Sequence, residues 1–179
     1  MLDIVAICGS LRAASTNGAL IEAARLLAPA GMTVTRHDAI GTLPHFNADL
    51  DGPGLPEPVA AFRARLKAAD GIILSSPEYA RGIPGTLKNA LDWLVGDGDF
   101  ENRPVALLGA SARGVAGDAA LRLVLGTMGG RVIEAASVTV DLLGGTWTAE
   151  RIAAEDAMAR ALRDALAAFG AEIERGVVR

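Results

Sequence analysis

Several residue types are scarce in this 179-residue sequence, and each shortage argues against a class of protein. The single cysteine, Cys8, cannot form an internal disulfide, and two histidines without further ligands at metal-binding spacing argue against a metal centre. Aromatic residues make up only 4%, so the core has to consist mainly of aliphatic side chains. Seventeen Lys and Arg against 21 Asp and Glu leave a net charge of −4, which argues against a nucleic-acid-binding surface.

Long hydrophobic runs are also missing. No apolar stretch approaches the ~18 residues that a membrane-spanning helix needs, so we expect no membrane association. The first eight residues carry an acid, Asp3, no basic segment, and lead directly into Gly9-Ser10. This pattern is typical of a strand that enters a turn and not of a signal peptide. We therefore expect a cytoplasmic protein in which Cys8 is a reduced core thiol.

What the sequence does contain is an alternation of short apolar runs with longer helical patterns. Several of the apolar runs are unbroken Val, Ile, Leu and Ala, as expected for strands buried on both faces of a parallel sheet. The alternation predicts a single α/β doubly wound domain over residues 1–179, with five strands in the order 2-1-3-4-5 and helices on both faces. The predicted strands are residues 3–8, 32–37, 71–76, 105–110 and 132–140. The predicted helices are residues 17–27, 58–69, 86–94, 116–128 and 148–175.

Three segments need separate description. Residues 41–58 contain four prolines and three glycines and predict a surface loop whose role the sequence leaves open. The last helix is predicted to begin at Thr148 as N-cap, with Glu150 in its first turn. Residues 119–125 are apolar around most of a helix, which favours a contact between subunits, although the long loop could also cover that face.

The loop after the first strand has the composition of an anion site. Ligands of open parallel sheets bind beyond the carboxyl ends of the strands, and residues 9–18 lie there. Ser10, Ser15 and Asn17 supply hydroxyl and amide groups, Arg12 supplies a charged fork, and the following helix supplies free N–H groups. A phosphate dianion fits this set, but neither a nucleoside-triphosphate loop nor a Gly-x-Gly-x-x-Gly fingerprint is present. The same residues could also serve only as a helix cap beside a solvated Arg12.

The loop after the third strand is rigid and faces the same edge of the sheet. It has two prolines and two glycines within nine residues, and it carries Tyr79, the single tyrosine of the chain. Such a stretch can run beside a flat ring and offer it main-chain N–H and C=O groups for hydrogen bonding. An ordinary connection, with Tyr79 packed on a neighbour, is the other interpretation.

The two loops together resemble the NADPH-dependent FMN reductase family, the flavodoxin-like group that includes chromate, quinone and azo-dye reductases. The family's first motif, Gly-Ser-Leu-Arg-x-x-Ser-x-Asn, is matched by Gly9, Ser10, Leu11, Arg12, Ser15 and Asn17. Its second, Pro-Glu-Tyr-Asn-x-x-x-Pro-Gly-x-Leu-Lys-Asn-Ala-x-Asp-Trp, is matched by Pro77, Glu78, Tyr79, Pro84, Gly85, Leu87, Lys88, Asn89, Ala90, Asp92 and Trp93.

The resemblance implies a flavin site. Ser10, Arg12, Ser15 and Asn17 would hold the FMN phosphate. The ribityl chain and the isoalloxazine ring would lie along Pro77, Glu78, Tyr79 and Ala80, with Ser111 as a further contact. The family's usual Asn is Ala80 here, which leaves only backbone contacts at that position. Lys88, Asn89, Asp92 and Trp93 are expected to organise their helix instead of touching substrate.

The resemblance also implies a reaction. A hydride would pass from NADPH or NADH to the flavin and then to a small-molecule acceptor such as a quinone, chromate, an azo compound or free flavin, with no protein nucleophile or metal. Arg81 is a candidate contact for the donor's phosphates or an anionic acceptor, or a plain surface charge.

Two other functions stay open, a flavodoxin-type electron carrier and a flavin-free phosphate-binding regulatory domain. A homodimer or homotetramer is expected.

Overall fold

A parallel sheet organises the fold in the computed structural model, which describes residues 1–96 and 98–177. Its strands are β1 (Leu2–Cys8), β2 (Met32–His37), β3 (Gly71–Ser75), β4 (Pro104–Gly109), β5 (Arg131–Val132) and β6 (Val138–Thr139). They are ordered β2-β1-β3-β4-β5. The same edge of β4 pairs first with β5, at residues 104–105, and then with β6, at residues 108–109. The predicted order and the parallel pairing are therefore confirmed, and all the carboxyl ends of the strands meet at one edge.

The predicted fifth strand is divided, so the sheet has six strands where five were expected. A short 3₁₀ turn, Glu134–Ala136, separates β5 from β6. The Ser137 hydroxyl explains the break, because it accepts a hydrogen bond from Leu107 N at 3.1 Å and donates one to Ile133 O at 2.9 Å. The Ser137 side chain thus accepts a hydrogen bond from the Leu107 N–H of β4, which would have bonded to a backbone carbonyl if the fifth strand were continuous.

Two helical layers cover the sheet, and alternate strand residues point into each. The helices are α1 (Thr16–Leu26), α2 (Glu57–Ala68), α3 (Gly85–Asp92), α4 (Val115–Thr127), α5 (Ala149–Ala154) and α6 (Asp156–Val177). One core lies between the sheet and α1, α5 and α6, and includes Ala6 and Phe169. The other lies beneath α2, α3 and α4, and includes Ile7 and Trp93. This arrangement follows from the period-two alternation of a strand buried on both faces. Within the ranges that the structure describes, no helix is both long and apolar enough to span a membrane.

The predicted last helix is two helices. Thr148 does cap α5, accepting a hydrogen bond from Arg151 N at 3.2 Å, as the sequence predicts. Glu155 then adopts an extended backbone, with ψ of 115°, and ends that helix. Its carboxylate accepts a hydrogen bond from Met158 N at 3.0 Å, and so it caps the start of α6. The apolar periodicity continues across Glu155, which is why the sequence pattern did not reveal the break.

Residues 41–58 are held firmly by α3. The carbonyl of Pro44 accepts hydrogen bonds from Asn89 Nδ2 at 3.0 Å and from Trp93 Nε1 at 2.8 Å. Phe46 N donates to Asn89 Oδ1 at 2.8 Å, and the Phe46 ring meets Trp93 edge-on at 5.0 Å. Asn89 and Trp93 therefore organise their surroundings, as expected of them. Two further 3₁₀ turns lie at Ala39–Thr42 and Ala48–Leu50.

Candidate functional site

A cavity of about 580 Å³ opens at the edge where β3, β4 and β6 end and where α1 and α4 begin. Its size lies within the range of small-molecule and cofactor sites, and its position is the ligand-binding edge of an open parallel sheet. Aliphatic side chains from the strands form the floor, and polar loops form the rim. The lining residues are 16–17, 74, 76–78, 107–115, 117–118, 121, 139 and 142–144.

The start of α1 forms one end of this cavity. Ser15 caps the helix, and its hydroxyl accepts a hydrogen bond from Gly18 N at 3.3 Å. Asn17 is buried, and its Oδ1 accepts a hydrogen bond from Ser75 Oγ at 3.0 Å, which leaves the amide NH₂ as its donor. The free N–H groups of the first turn and the positive helix end favour an anion here.

The loop before α1 is a tight turn. Ser10 is buried, and its hydroxyl accepts a hydrogen bond from Arg12 N at 3.3 Å, while the Arg12 side chain is exposed. A guanidinium next to the free N–H groups of α1 adds positive charge to this end of the cavity. The four predicted phosphate residues thus lie within eight positions at or just before the N-terminus of α1, and Asn17 is the one of the four that lines the cavity.

The loop before α4 repeats this arrangement with a different outcome. The Ser111 hydroxyl accepts a hydrogen bond from Arg113 N at 3.1 Å, as Ser10 does from Arg12 N. The N-cap residue of α4 is Gly114, which has no side chain to offer. Instead, Gly117 N donates to Glu78 Oε2 at 2.8 Å. A carboxylate therefore already occupies the positive end of α4, and α1 is the helix end that suits an incoming anion.

A strained hairpin turn follows Glu78. Tyr79 and Gly82 exchange both backbone hydrogen bonds, at 2.9 and 3.0 Å. Ala80 and Arg81 between them have φ of 50° and 64°, the left-handed conformation of a type I′ turn. This geometry gives a second reason for the family's Asn at position 80, because Asn tolerates this backbone better than Ala. Tyr79 itself is 48% exposed.

The structure divides the predicted site residues into two groups. Four of them line the cavity: Asn17, Pro77, Glu78 and Ser111. The other six belong to the adjoining turns and are not among the lining residues: Ser10, Arg12, Ser15, Tyr79, Ala80 and Arg81. The carboxylate of Glu78 accepts a hydrogen bond from Gly117 N of α4.

One wall of the cavity escaped the sequence analysis. Leu142, Leu143 and Gly144 follow β6 and are part of the cavity lining. The pair Gly144-Gly145 directly after an apolar run was the available signal, because it marks a turn at the carboxyl end of the last strand. The division of that strand hid where it ends.

Charged groups of both signs lie around the cavity. Arg113 belongs to the lining, and Arg12 and Arg81 are exposed in the adjoining turns. Of the acidic groups in the lining, Glu78 is engaged with α4, and Asp118 pairs with Arg122 at 2.6 Å. The arrangement can therefore accommodate an anionic ligand with a flat, largely apolar body.

Comparison with known proteins agrees with this geometry. A family model described as NADPH-dependent FMN reductase matches residues 2–143. An NAD(P)H-dependent FMN reductase of Pseudomonas aeruginosa is 39% identical over 113 residues, which are 62% of this chain and 60% of that protein. A quinone reductase of Escherichia coli is 38% identical over 121 residues, which are 66% of this chain and 64% of that protein. The matches thus span less than two thirds of these relatives.

The similarity to solved structures extends further along the chain. A flavoenzyme NAD(P)H:(acceptor) oxidoreductase from Paracoccus denitrificans superposes with a TM-score of 0.78 at 29% identity and covers 98% of both chains. An azoreductase with a TM-score of 0.57 and 18% identity shares the fold.

Proposed function

Because this chain belongs to the NADPH-dependent FMN reductase family, we propose that it is an FMN-dependent oxidoreductase that uses NADPH or NADH. It would transfer reducing equivalents from that donor to a small-molecule acceptor, with bound FMN supplying the hydride chemistry. The observation that carries the proposal is the cavity, which joins the N-terminus of α1 to a pocket of about 580 Å³ at the carboxyl edge of the sheet. A mononucleotide combines a phosphate dianion with a planar ring. The N-terminus of α1 suits the dianion, and the cavity suits the ring.

The start of α1 would hold the FMN phosphate. Ser10, Ser15 and Asn17 contribute hydroxyl and amide groups, the first turn of α1 contributes N–H groups, and Arg12 contributes the charge. Since Ser15 Oγ already accepts from Gly18 N, its remaining role toward a phosphate is to donate its hydroxyl proton. The Ser75 hydroxyl holds the Asn17 amide in place for the same role.

The flavin ring would lie between the Pro77 loop and the loop before α4. Pro77 and Ser111 line the two sides of the cavity, and Ala80 and Tyr79 follow Pro77 in the hairpin turn. Because the Glu78 carboxylate is engaged by Gly117 N, Glu78 contacts the ring through its backbone. Main-chain N–H groups from these rigid loops would stabilise negative charge on the ring.

Flavin, when bound, supplies the two-electron chemistry, and the protein positions the reactants and controls access. Arg81 would contact the phosphates of the nicotinamide donor or an anionic acceptor, since it is exposed on the turn that follows the cavity wall. The acceptor class we propose is quinones, azo compounds, chromate or free flavin. Two of the similar proteins are named as a quinone reductase and an azoreductase.

An absorbance experiment tests the proposal. Purified protein is titrated with FMN and then mixed anaerobically with NADPH and, separately, with NADH. We expect saturable FMN binding and bleaching of the flavin band by at least one donor. A flavin that binds but stays yellow with both donors would indicate an electron carrier. Absence of FMN uptake would indicate a flavin-free regulatory domain.

We also propose a homodimer or homotetramer, formed through other side chains of α4 than the sequence indicated. Leu121 and Leu125 of α4 are buried in the chain's own core, so they are not available for a subunit contact. Leu123 and Val115 on the same helix are 72% and 71% exposed, and these two side chains support the proposal. Light scattering of the wild-type protein and of Leu123→Lys tests it, and a monomeric wild type would refute it.

Residues 1–179 would act as one flavin-binding domain, because both cores share the same sheet. Cys8 is a buried free thiol at the end of β1, which agrees with the reducing cytoplasm as the place of action. Limited proteolysis and cell fractionation test these two proposals.

A further inference from the structure

The start of α4 is capped by a residue from a distant loop. Gly114, the N-cap residue, has no side chain, and Gly117 N donates at 2.8 Å to Glu78 Oε2, which is 39 positions earlier in the sequence. Other helices of this chain use a neighbour for the same purpose: Ser15 caps α1, and Glu155 caps α6. The cap of α4 therefore joins two separate segments of the chain.

The helix provides space for this contact. A methyl group added to Gly117 would lie 3.0 Å from Glu78 Cβ and 3.1 Å from Glu78 Cα, closer than side chains normally approach. Farther along the same helix, a methyl group on Gly126 would meet no atom of the described chain within 4 Å. Gly117 thus admits the backbone of Glu78, whereas Gly126 has no such role.

We infer that Glu78 is a positioning residue that fixes the two walls of the cavity relative to each other through α4. Residues 76–78 form one wall and residues 110–117 the other, and the hydrogen bond from Gly117 N to Glu78 Oε2 joins them. The inference rests on the proposed function, in which FMN lies between these walls. It gives Glu78 a role other than side-chain contact with flavin.

The two helix ends at the cavity also differ in their acidic groups. The turns before α1 and α4 both place a serine hydroxyl against the N–H of an arginine two residues later. A carboxylate at the start of α4 satisfies the helix dipole there and repels a second anion. The start of α1 has no acidic residue in its first turn, whereas α4 has Asp118 there in addition to the contact with Glu78, so the dianion binds at α1.

Three variants of Glu78 separate the effect of its side-chain length, which we call its reach to Gly117 N, from the effect of its charge. Glu78→Gln keeps an oxygen at the same distance but removes the charge. Glu78→Asp keeps the charge but is one methylene too short to reach Gly117 N. Glu78→Ala removes both. Each is measured in two ways, by the dissociation constant for FMN and by amide hydrogen exchange of the first turn of α4 in the cofactor-free protein.

The positioning role predicts that reach matters more than charge. We expect Glu78→Ala and Glu78→Asp to weaken FMN binding by roughly tenfold to a hundredfold, as for loss of one charge-assisted hydrogen bond. We expect Glu78→Gln to stay within about fivefold of wild type, because a neutral hydrogen bond retains roughly half the strength. Hydrogen exchange at the start of α4 should accelerate in the Ala and Asp variants and change little in Gln.

Two matched controls accompany these variants. Glu155→Ala removes a carboxylate cap from α6, away from the cavity, and should leave FMN affinity unchanged. Gly117→Ala should reproduce the Glu78→Ala phenotype by displacing Glu78, while Gly126→Ala should not. The double variant Glu78→Ala/Gly117→Ala should be no worse than either single variant, because both remove the same contact.

Several outcomes would overturn the inference. Faster exchange without loss of FMN affinity would make the cap merely structural, and loss of affinity without faster exchange would make Glu78 a direct ligand. Wild-type affinity in Glu78→Asp together with loss in Glu78→Gln would show that charge is decisive. If the wild-type protein did not bind FMN, the proposed function would fail. The capping of α4 by Glu78 would then be tested by amide hydrogen exchange alone. Equal exchange rates in Glu78→Ala and wild type would refute the cap, and faster exchange in Glu78→Ala would support it.

Discussion

The hairpin turn at Ala80 and Arg81 should be a removable source of backbone strain. Both residues have left-handed φ values, 50° and 64°, without being glycine or asparagine. For an ordinary residue this conformation costs about 1–2 kcal/mol. Ala80→Gly removes that cost but adds about 0.4–1 kcal/mol of chain entropy to the unfolded state. The net expectation is a gain of about 0.5–1 kcal/mol in the free energy of unfolding.

Urea denaturation measures this gain. With a slope of about 2 kcal/mol per molar urea, a gain of 1 kcal/mol moves the midpoint upward by about 0.5 M. Ala80→Asn should do at least as well, because Asn tolerates the left-handed region and does not pay the entropy of Gly. Both substitutions act on the backbone, so the slope of the transition should not change.

The reverse substitution, Gly to Ala at another position with positive φ, supplies the control. Gly31 has φ of 87°, and a methyl group there would meet no described atom within 4 Å. Gly31→Ala therefore adds the strain that Ala80→Gly removes, without a steric clash, and should lower stability by about 0.5–1 kcal/mol. If Gly31→Ala is destabilising while Ala80→Gly and Ala80→Asn are neutral or destabilising, the reasoning about the turn is wrong.

Three further predictions concern other parts of the molecule. Arg12→Ala should weaken FMN binding by about 1.5–3 kcal/mol in an equilibrium titration while changing the urea midpoint little, since Arg12 is exposed; unchanged affinity would remove it from the phosphate site. Asn89→Ala removes the hydrogen bonds that Asn89 makes with Pro44 O and with Phe46 N, so residues 41–58 should be cleaved faster by protease, and an unchanged cleavage rate would contradict the contact. Burial, and secondarily the charge of Arg65, lower the pKa of His37, so the unfolded state takes up its proton first and stability falls as the pH drops below about 6.5. His37→Gln should reduce that fall in urea midpoints measured between pH 7.5 and 5.5, and an identical pH profile would refute it.

Much of the fold was readable from the chain because the signals are local. The unbroken aliphatic runs of β1, β3 and β4 indicate strands buried on both faces, and the structure confirms them as neighbours in a parallel sheet. Thr148 capped its helix as predicted, since capping depends on residues three positions apart. The breaks at Ser137 and Glu155 were missed because apolar periodicity continues across both positions.

The sequence by itself determined the alternation of elements, the order of the sheet and the family, because hydrophobic period and motif spacing are properties of contiguous residues. The tertiary structure alone decided how the loops at the carboxyl edge divide their tasks. The sequence allowed Ser15 to cap its own helix, but it did not indicate that Glu78 would cap α4, which begins more than 30 residues later. That difference depends on the packing of segments far apart in the chain, and no local pattern encodes the distance between them.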